Sequence, residues 1–234
     1  MANLIQLKML EDLDGVLLVD KPEGIAFSTV VKTVKRKFNL VKVGHGGSLE
    51  SMASGLLVLL INGANRFVGE IMGADRSYSG TIEFGTRTDT GDIFGNPLEP
   101  LGGKPPDAES LAKALKEFKG DVFQTEPRFC AVRKEGSAEY EIADTGEHSR
   151  FLAHVYRFAL DGAAFEIAAS KSLIVRALVN DFGEALGCGA CLKSLRRTKV
   201  GRYDVSGAIG FEKLLETGIG DFASCVIPLS KALR

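Results

Sequence analysis

The chain is poor in cysteine, which argues against a fold held together by disulfides or zinc. Four cysteines in 234 residues are too few for a disulfide scaffold in a chain of this size. Cys188 and Cys191 form a single C-x-x-C motif, with no second pair and no neighbouring histidine. A structural zinc site needs about four ligands, and no strand that would end in a thioredoxin-like motif is apparent. We therefore interpret these cysteines as small packing residues.

Long apolar runs are also missing. The longest continuous run covers residues 56–61, far short of the roughly 18 residues of a membrane helix. The first residues, MANLIQLKMLEDLD, lack the basic start, the apolar stretch and the cleavage site of a secretory signal. A content of 45% hydrophobic and 25% charged residues is ordinary for a soluble globular protein with a sizeable core. We therefore expect the protein in the cytoplasm.

Neither sign of charge is in clear excess, since the formal net charge is −1. This balance argues against broad, charge-driven binding of nucleic acid. Two stretches, 24–49 and 185–203, are nevertheless basic and free of acids, and they suggest a local anionic contact or, alternatively, two solvated faces. Their basic residues are Lys32, Lys35, Arg36, Lys37 and Lys42 in the first stretch, and Lys193, Arg196, Arg197, Lys199 and Arg202 in the second.

The hydrophobic pattern predicts an α+β fold, because strands and helices are interspersed along the chain. Residues 15–20, 56–61 and 77–84 are typical of strands. Helices are predicted after Ser28 and after Asp107 as N-caps, over 64–72, and over 173–186 with Gly187 at the end. No repeat or linker divides the sequence, so residues 1–234 are predicted to form a single domain.

Five segments form an ordered set of motifs over most of the chain. They are GVLLVDKPEG (15–24), VGHGGSLESMASGLL (43–57), YSGTIEFGTRTDTGD (78–92), FKGDVFQTEPRFCAVR (118–133) and SKSLIVRALVNDFGEALGCGACLKSLRR (170–197). In this order they resemble the catalytic core of the TruB-type tRNA pseudouridine synthases, relatives of dyskerin. Five ordered blocks are far more specific than any single motif. The resemblance implies a pseudouridine synthase fold with a central mixed, mostly antiparallel sheet flanked by helices, and no cofactor or metal. As a departure from the family, this chain is expected to have no C-terminal PUA domain.

The resemblance also implies catalytic roles for four residues. Glu50 occupies the position of the nucleophile, Arg176 matches the arginine that keeps this carboxylate ionised and aimed, and Asp89 matches the acid that completes the network. Tyr78 matches the tyrosine that stacks on the extruded base. The reaction breaks the glycosidic bond of a uridine, turns the base and rejoins it through carbon. We expect these four side chains to converge on one cleft.

RNA contacts follow from the same resemblance, with the T-arm of tRNA or another structured RNA as the partner of a chain expected to be a monomer. Flipping a uridine from its loop requires aromatic and basic surface around the pocket. His45 matches a residue that supports the disrupted RNA loop, and Lys21 matches another residue that lines the site. The other expected contacts are Lys32, Lys35, Arg36, Arg133, Arg196 and Arg197.

The chain departs from the family pattern at the centre of the site. The family has aspartate where this chain has Glu50, and proline where it has Ser51. An aromatic expected beside the target base is replaced by Ile174, and the last residue of the Y-S-A-x-K motif is Arg133. The pattern therefore indicates the fold more strongly than the activity.

Two alternative functions remain open at this stage. The altered site is compatible with a non-catalytic RNA-binding derivative. Asp-Thr-Gly occurs at 89–91 and 144–146, and a pair of such triplets is typical of aspartic peptidases, in which two carboxylates share a proton. The acids of such a hydrolase would come from Asp20, Asp89 and Asp144. Strongly apolar strands do not precede either triplet, which argues against this alternative.

Overall fold

The structure, a computed structural model, describes residues 10–98, 103–104, 106–125, 129–132, 141–144 and 149–232. The chain divides into two compact units. The first unit comprises Met1–Arg76 and Arg196–Arg234, and the second comprises Ser77–Leu195. No helix in the described ranges is long and apolar enough to cross a membrane.

Helices and strands alternate along the described residues, as the α+β prediction requires. The helices are α1 (Phe27–Lys37), α2 (Val68–Gly73), α3 (Ala108–Glu117), α4 (Val175–Ala185), α5 (Phe211–Glu216), α6 (Phe222–Cys225) and α7 (Leu229–Ala232), with 3-10 turns at Asn62–Phe67 and Val205–Gly207. The strands are β1 (Gly15–Lys21), β2 (Val43–His45), β3 (Ala53–Ile61), β4 (Arg76–Phe84), β5 (Gly120–Thr125), β6 (Phe129–Val132), β7 (Glu141–Asp144), β8 (Arg150–Asp161), β9 (Ala164–Ala169), β10 (Ala190–Val200), β11 (Tyr203–Asp204), β12 (Ile209–Gly210) and β13 (Val226–Pro228).

The first unit is built around the antiparallel pair of β1 and β3, in which Gly15 lies opposite Ile61 and Lys21 opposite Gly55. Alternate residues of both strands enter two hydrophobic clusters, one on each face. A strand buried on both faces is apolar without interruption, which explains the continuous run at 56–61. The Gly-rich segment 44–55 therefore leads into the most buried strand of this unit.

Helix α1 covers one of these clusters with Val30, Val34 and its C-cap residue Phe38, all fully buried. The helix begins at Phe27, with Ala26 as its N-cap and no side-chain cap. The prediction of Ser28 as the N-cap is therefore wrong, because Ser28 lies within the first turn.

The second unit has the strand order β10-β4-β9-β8-β5, with β10 contributing its residues up to Leu195. Helix α4 packs in this unit through Phe182, whose ring contacts those of Phe84, Phe118 and Phe158. Strands β6 and β7 pair separately as an antiparallel hairpin. The α4 prediction is confirmed to within two residues, and α3 is capped by the Asp107 carboxylate, which accepts a hydrogen bond from Ser110 N at 2.8 Å.

Candidate active site

The loop that carries Glu50 lies between β2 and β3. These strands are antiparallel neighbours, with His45 opposite Leu59, so the chain turns back within a few residues. Glu50 is half-buried in this turn, and its carbonyl accepts a hydrogen bond from Ala53 N at 3.1 Å. Position 50 therefore lies in a short turn that is stabilised by its own backbone hydrogen bond.

A buried guanidinium fixes the backbone of the same loop. Arg197 is 1% exposed. It donates to Ser48 O at 2.7 Å, to Leu56 O at 2.8 Å and to Gly47 O at 3.3 Å. Gly55 has φ +101°, and a Cβ there would overlap the Arg197 carbonyl. The prediction that Arg197 binds an RNA phosphate does not fit this burial, because its donors are directed at backbone carbonyls inside the unit.

Lys21 holds the other end of the loop. Its side chain is fully buried, and Nζ donates to Pro22 O and Ile25 O at 2.8 Å and to Ser51 O at 3.4 Å. Burial, reinforced by the nearby positive charge of Arg197, lowers the pKa of Lys21 from 10.5 to about 8. The structure thus gives Lys21 a supporting position behind the Glu50 turn, which the sequence did not reveal.

Arg196 points in a different direction from its neighbour Arg197 and forms an ion pair with Asp20. The two guanidinium nitrogens lie 3.0 and 2.6 Å from the two carboxylate oxygens, and both side chains are partly exposed. Such a bidentate pair fixes the planar groups relative to each other. Asp20, proposed above as a hydrolase acid, is therefore a structural partner of Arg196.

His45 lies beside the start of α1. Its Nδ1 accepts a hydrogen bond from Gly47 N at 3.3 Å, and its ring meets the Phe27 ring edge-on at 4.8 Å. The helix that begins with Phe27 exposes several of the predicted RNA contacts. These are Lys32, Lys35 and Arg36.

Arg176 lies in the first turn of α4, in the second unit. Its Nη1 donates to the Thr90 carbonyl, and its Nε lies 3.9 Å from Asp92 Oδ2. The side chains of Arg176 and Asp92 are only 12% and 11% exposed. Gly91 has φ +74°, and a Cβ added there would lie 3.6 Å from the Cβ of Arg176. Thr90 and Asp92 therefore lie beside the guanidinium and restrict its orientation.

Asp92 is an acid that lies beside Arg176, whereas the family resemblance assigns this role to Asp89. The Asp89 carboxylate accepts hydrogen bonds from Asn96 N at 2.8 Å and from Asn96 Nδ2 at 3.0 Å. Both acids belong to the same R-T-D-T-G-D segment, so the motif alone could not separate them. The reason lies in a tight turn that directs Asp89 to Asn96 and brings Asp92 under the guanidinium.

Tyr78 and Ile174 are two further residues of the second unit that the sequence analysis singles out. Tyr78 is 9% exposed on β4. The backbone of Ile174 is held by the buried amide of Gln124, which donates to Ile174 O at 3.0 Å and accepts from Ile174 N at 3.0 Å. Gln124 could not be recognised from the sequence, since a single polar residue in a strand is ordinary. This pair of hydrogen bonds sets the backbone just before Arg176.

Two predicted residues cannot be placed by side chain. Arg133 lies outside the described residues, and only the backbone of Asp144 is described, opposite Phe129 in the β6–β7 hairpin. Within the described ranges, no group of three or more His, Cys, Asp or Glu residues could hold a metal ion. The expectation that Glu50 lies with Tyr78 and Arg176 stays a prediction.

Comparison with known proteins gives matches along almost the whole chain. The family model for the N-terminal domain of TruB family pseudouridylate synthases matches residues 35–154, and the model for the tRNA pseudouridylate synthase B C-terminal domain matches residues 176–233. The tRNA pseudouridine synthase B of Opitutus terrae is 34% identical over 230 residues, which cover 95% of each chain. That of Aquifex aeolicus is 37% identical over 215 residues, covering 88% of this chain and 75% of the relative.

A solved structure has a similar fold. A chain in the crystal structure of a Cbf5–Nop10–Gar1 complex superposes with a TM-score of 0.70 at 24% identity. The match covers 97% of this chain and 63% of that one, so this chain spans less than two thirds of its length. At this identity the likeness concerns the fold alone, and it confirms the predicted mixed sheet flanked by helices.

Proposed function

Because the chain belongs to the TruB family of pseudouridylate synthases, we propose that it isomerises a uridine in the T-loop of tRNA to pseudouridine. The observation that carries the proposal is the match over 95% of both chains to a tRNA pseudouridine synthase B. In this reaction the bond between C1′ and N1 breaks and a bond between C1′ and C5 forms. The C5 proton leaves and N1 gains one, so no oxidant or further substrate is required.

We assign the roles by the chemistry that each step needs. A carboxylate, here Glu50, attacks or stabilises the sugar or base while the glycosidic bond is broken. Arg176 keeps that carboxylate ionised and oriented. Asp92 and the Thr90 carbonyl restrict the guanidinium of Arg176, and they support its role because a preorganised charge costs no reorganisation during the reaction. Tyr78 stacks on the turned base.

RNA is proposed to bind through the exposed basic side of α1. Lys32, Lys35 and Arg36 are exposed there, and His45 contacts Phe27 at the start of the helix. Arg196 is a weaker candidate because Asp20 already neutralises it, and Arg197 is excluded by its burial. The cytoplasmic location and the monomeric state stay predictions.

A second candidate function is favoured by one observation, the glutamate at position 50. Glutamate extends the carboxylate by one methylene, about 1.5 Å, relative to aspartate. A misplacement of about 1 Å can reduce a rate on the order of 100-fold. A chain with this change could retain RNA binding and lose the isomerisation.

The test is incubation of the native protein with a T-arm transcript, followed by carbodiimide mapping and mass spectrometry. A transcript with cytidine in place of the T-loop uridine is the matched control. Pseudouridine at the T-loop position of the first transcript supports the isomerase. Tight binding of the transcript without product supports the RNA-binding alternative, and neither binding nor product contradicts both.

A further inference from the structure

The turn that follows Asp92 presents two apolar side chains to solvent. Phe94 is 66% exposed and Ile93 is 42% exposed. Both belong to the segment between β4 and α3, in the same unit as Arg176. We refer to Ile93 and Phe94 together as the knuckle.

The knuckle is held rigidly by the side chains around it. Gly95 N donates to Asp92 O at 3.2 Å, which closes the turn, and Phe94 N donates to Asp92 Oδ1 at 2.9 Å. Thr90 Oγ1 donates to the same Oδ1 at 3.0 Å. On the far side, Asp89 and Asn96 bond through both backbone and side chain. A turn fixed at this many points presents its tip in one orientation.

Position 95 shows that the turn must stay compact. A Cβ on Gly95 would overlap Thr90 Oγ1 and lie 2.5 Å from Asp89 Oδ1. The two side chains at the tip are therefore directed outward by a turn that has no room inside. An exposed phenylalanine on a mobile loop would lose conformational entropy on binding, but this one is already ordered.

The knuckle is attached to the proposed catalytic arginine through one carboxylate. Asp92 Oδ1 accepts from Phe94 N, and Asp92 Oδ2 lies 3.9 Å from Arg176 Nε. Phe94 follows Asp92 by two residues, so their Cα atoms are at most about 7 Å apart. A nucleotide held at Arg176 would thus have its neighbour within reach of the Phe94 ring.

An unpaired base fits the knuckle better than a protein surface does. A specific protein interface buries roughly 800 Å² on each partner, which two side chains at a turn tip do not supply. One exposed ring matches one base, and loops of RNA are recognised by stacking unpaired bases on aromatic side chains. We propose that Ile93 and Phe94 form a stacking platform for an unpaired base that flanks the target uridine, an inference that rests on the proposed function.

The experiment measures T-arm binding by fluorescence anisotropy and product formation at saturating RNA. Phe94→Ala should weaken binding about 5- to 140-fold, the range expected for loss of one base–aromatic stack, with little change in the rate at saturation. Phe94→Trp should bind as the native protein does, and Phe94→Leu should resemble Phe94→Ala because it keeps apolar area without a π face. Phe123→Ala is the matched control, since Phe123 is a 61% exposed phenylalanine on β5 of the same unit.

A set of T-loop transcripts, each with one abasic position beside the target uridine, identifies the base. Loss of the stacking base should weaken binding to the native protein but not weaken binding to Phe94→Ala any further. The stacking platform would be overturned if Phe94→Ala or Phe94→Leu kept native affinity for the T-arm, or if Phe123→Ala lost as much affinity. The two side chains would then be a plain surface or a protein contact. If the native protein forms product while Phe94→Ala binds normally, only this inference fails. If the native protein does not bind the transcript, the proposed function fails with it.

Discussion

Glu50 stands where the family resemblance places the nucleophile, and aspartate is the residue expected there. The surrounding loop keeps its small residues and is fixed by Arg197 and Lys21, so the backbone at position 50 is well defined. The side-chain length is then the main variable. A longer carboxylate on a fixed backbone has to fold back or reach past its target.

We therefore predict that Glu50→Asp increases the initial rate of pseudouridine formation, by as much as about 100-fold. The shorter side chain withdraws the carboxylate by one carbon and recovers the lost geometry, although Ile174 in place of an aromatic limits the gain. Product is measured on the same T-arm transcript at equal concentrations of folded protein, checked by circular dichroism. Glu50→Gln is the control and should give no product. A native protein that is faster than Glu50→Asp would show that glutamate is a competent nucleophile here.

Lys21 provides a second prediction for a single residue, which concerns how stability depends on pH. Its pKa is lowered by burial from 10.5 to about 8, so between these pH values the unfolded chain retains a proton that the folded chain releases. The free energy of unfolding must then rise with pH in this window. Relative to Lys21→Met, which lacks the group, the native protein should gain about 2 kcal/mol between pH 8 and pH 10. Urea unfolding at both pH values measures this difference, and a constant difference would mean that the Lys21 pKa is not lowered.

Helices and strands with a clear hydrophobic period can be predicted from the sequence, whereas features that depend on neighbouring strands cannot. The buried run at 56–61 and the amphipathic pattern of α4 were sufficient to locate a strand and a helix. Strand β10 lies within the basic stretch 185–203, where the sequence does not distinguish Arg196 from Arg197. The pairing of the strands determines that Arg196 binds Asp20 near the surface, whereas Arg197 is buried. The sequence also does not show which of Asp89 and Asp92 lies beside Arg176, because the tight turn that contains both acids determines this.

Gly55, the third residue of strand β3, provides a prediction about the stability of this element. Gly55 has φ +101°, and a Cβ there would overlap Arg197 O and lie 2.8 Å from Arg197 N. Gly55→Ala should therefore lower the free energy of unfolding by about 2 kcal/mol or more, measured by urea denaturation. Gly69→Ala in α2 is the matched control, because a Cβ there meets nothing within 4 Å, and it should be neutral or slightly stabilising. Equal stability of Gly55→Ala and the native protein would contradict the close approach of Arg197.

For the whole molecule, charge is nearly balanced, with 29 basic and 30 acidic residues. Attraction of RNA by the overall field is therefore weak, and binding has to depend on where the charges lie. Helix α1 ends with basic residues and has no acid in its first turn, and its Lys35 and Arg36 are exposed. Helix α3 also exposes two lysines, Lys113 and Lys116, but beside Glu109 and Glu117. On each helix a pair of exposed cations can thus be reversed, in different surroundings.

We predict that reversing the charge at Lys35 and Arg36 together, by Lys35→Glu and Arg36→Glu, weakens T-arm binding strongly, while Lys113→Glu with Lys116→Glu does not. Both double variants change the net charge equally, so a difference between them reports position and not overall charge. Each phosphate contact releases counterions, so the α1 variant should also reduce the slope of log affinity against log salt concentration by about 2. Anisotropy titrations of one transcript between 50 and roughly 200 mM salt measure both quantities. Equal weakening by the two double variants would show that only the overall field matters, and an unchanged slope in the α1 variant would remove this helix from the RNA-binding surface.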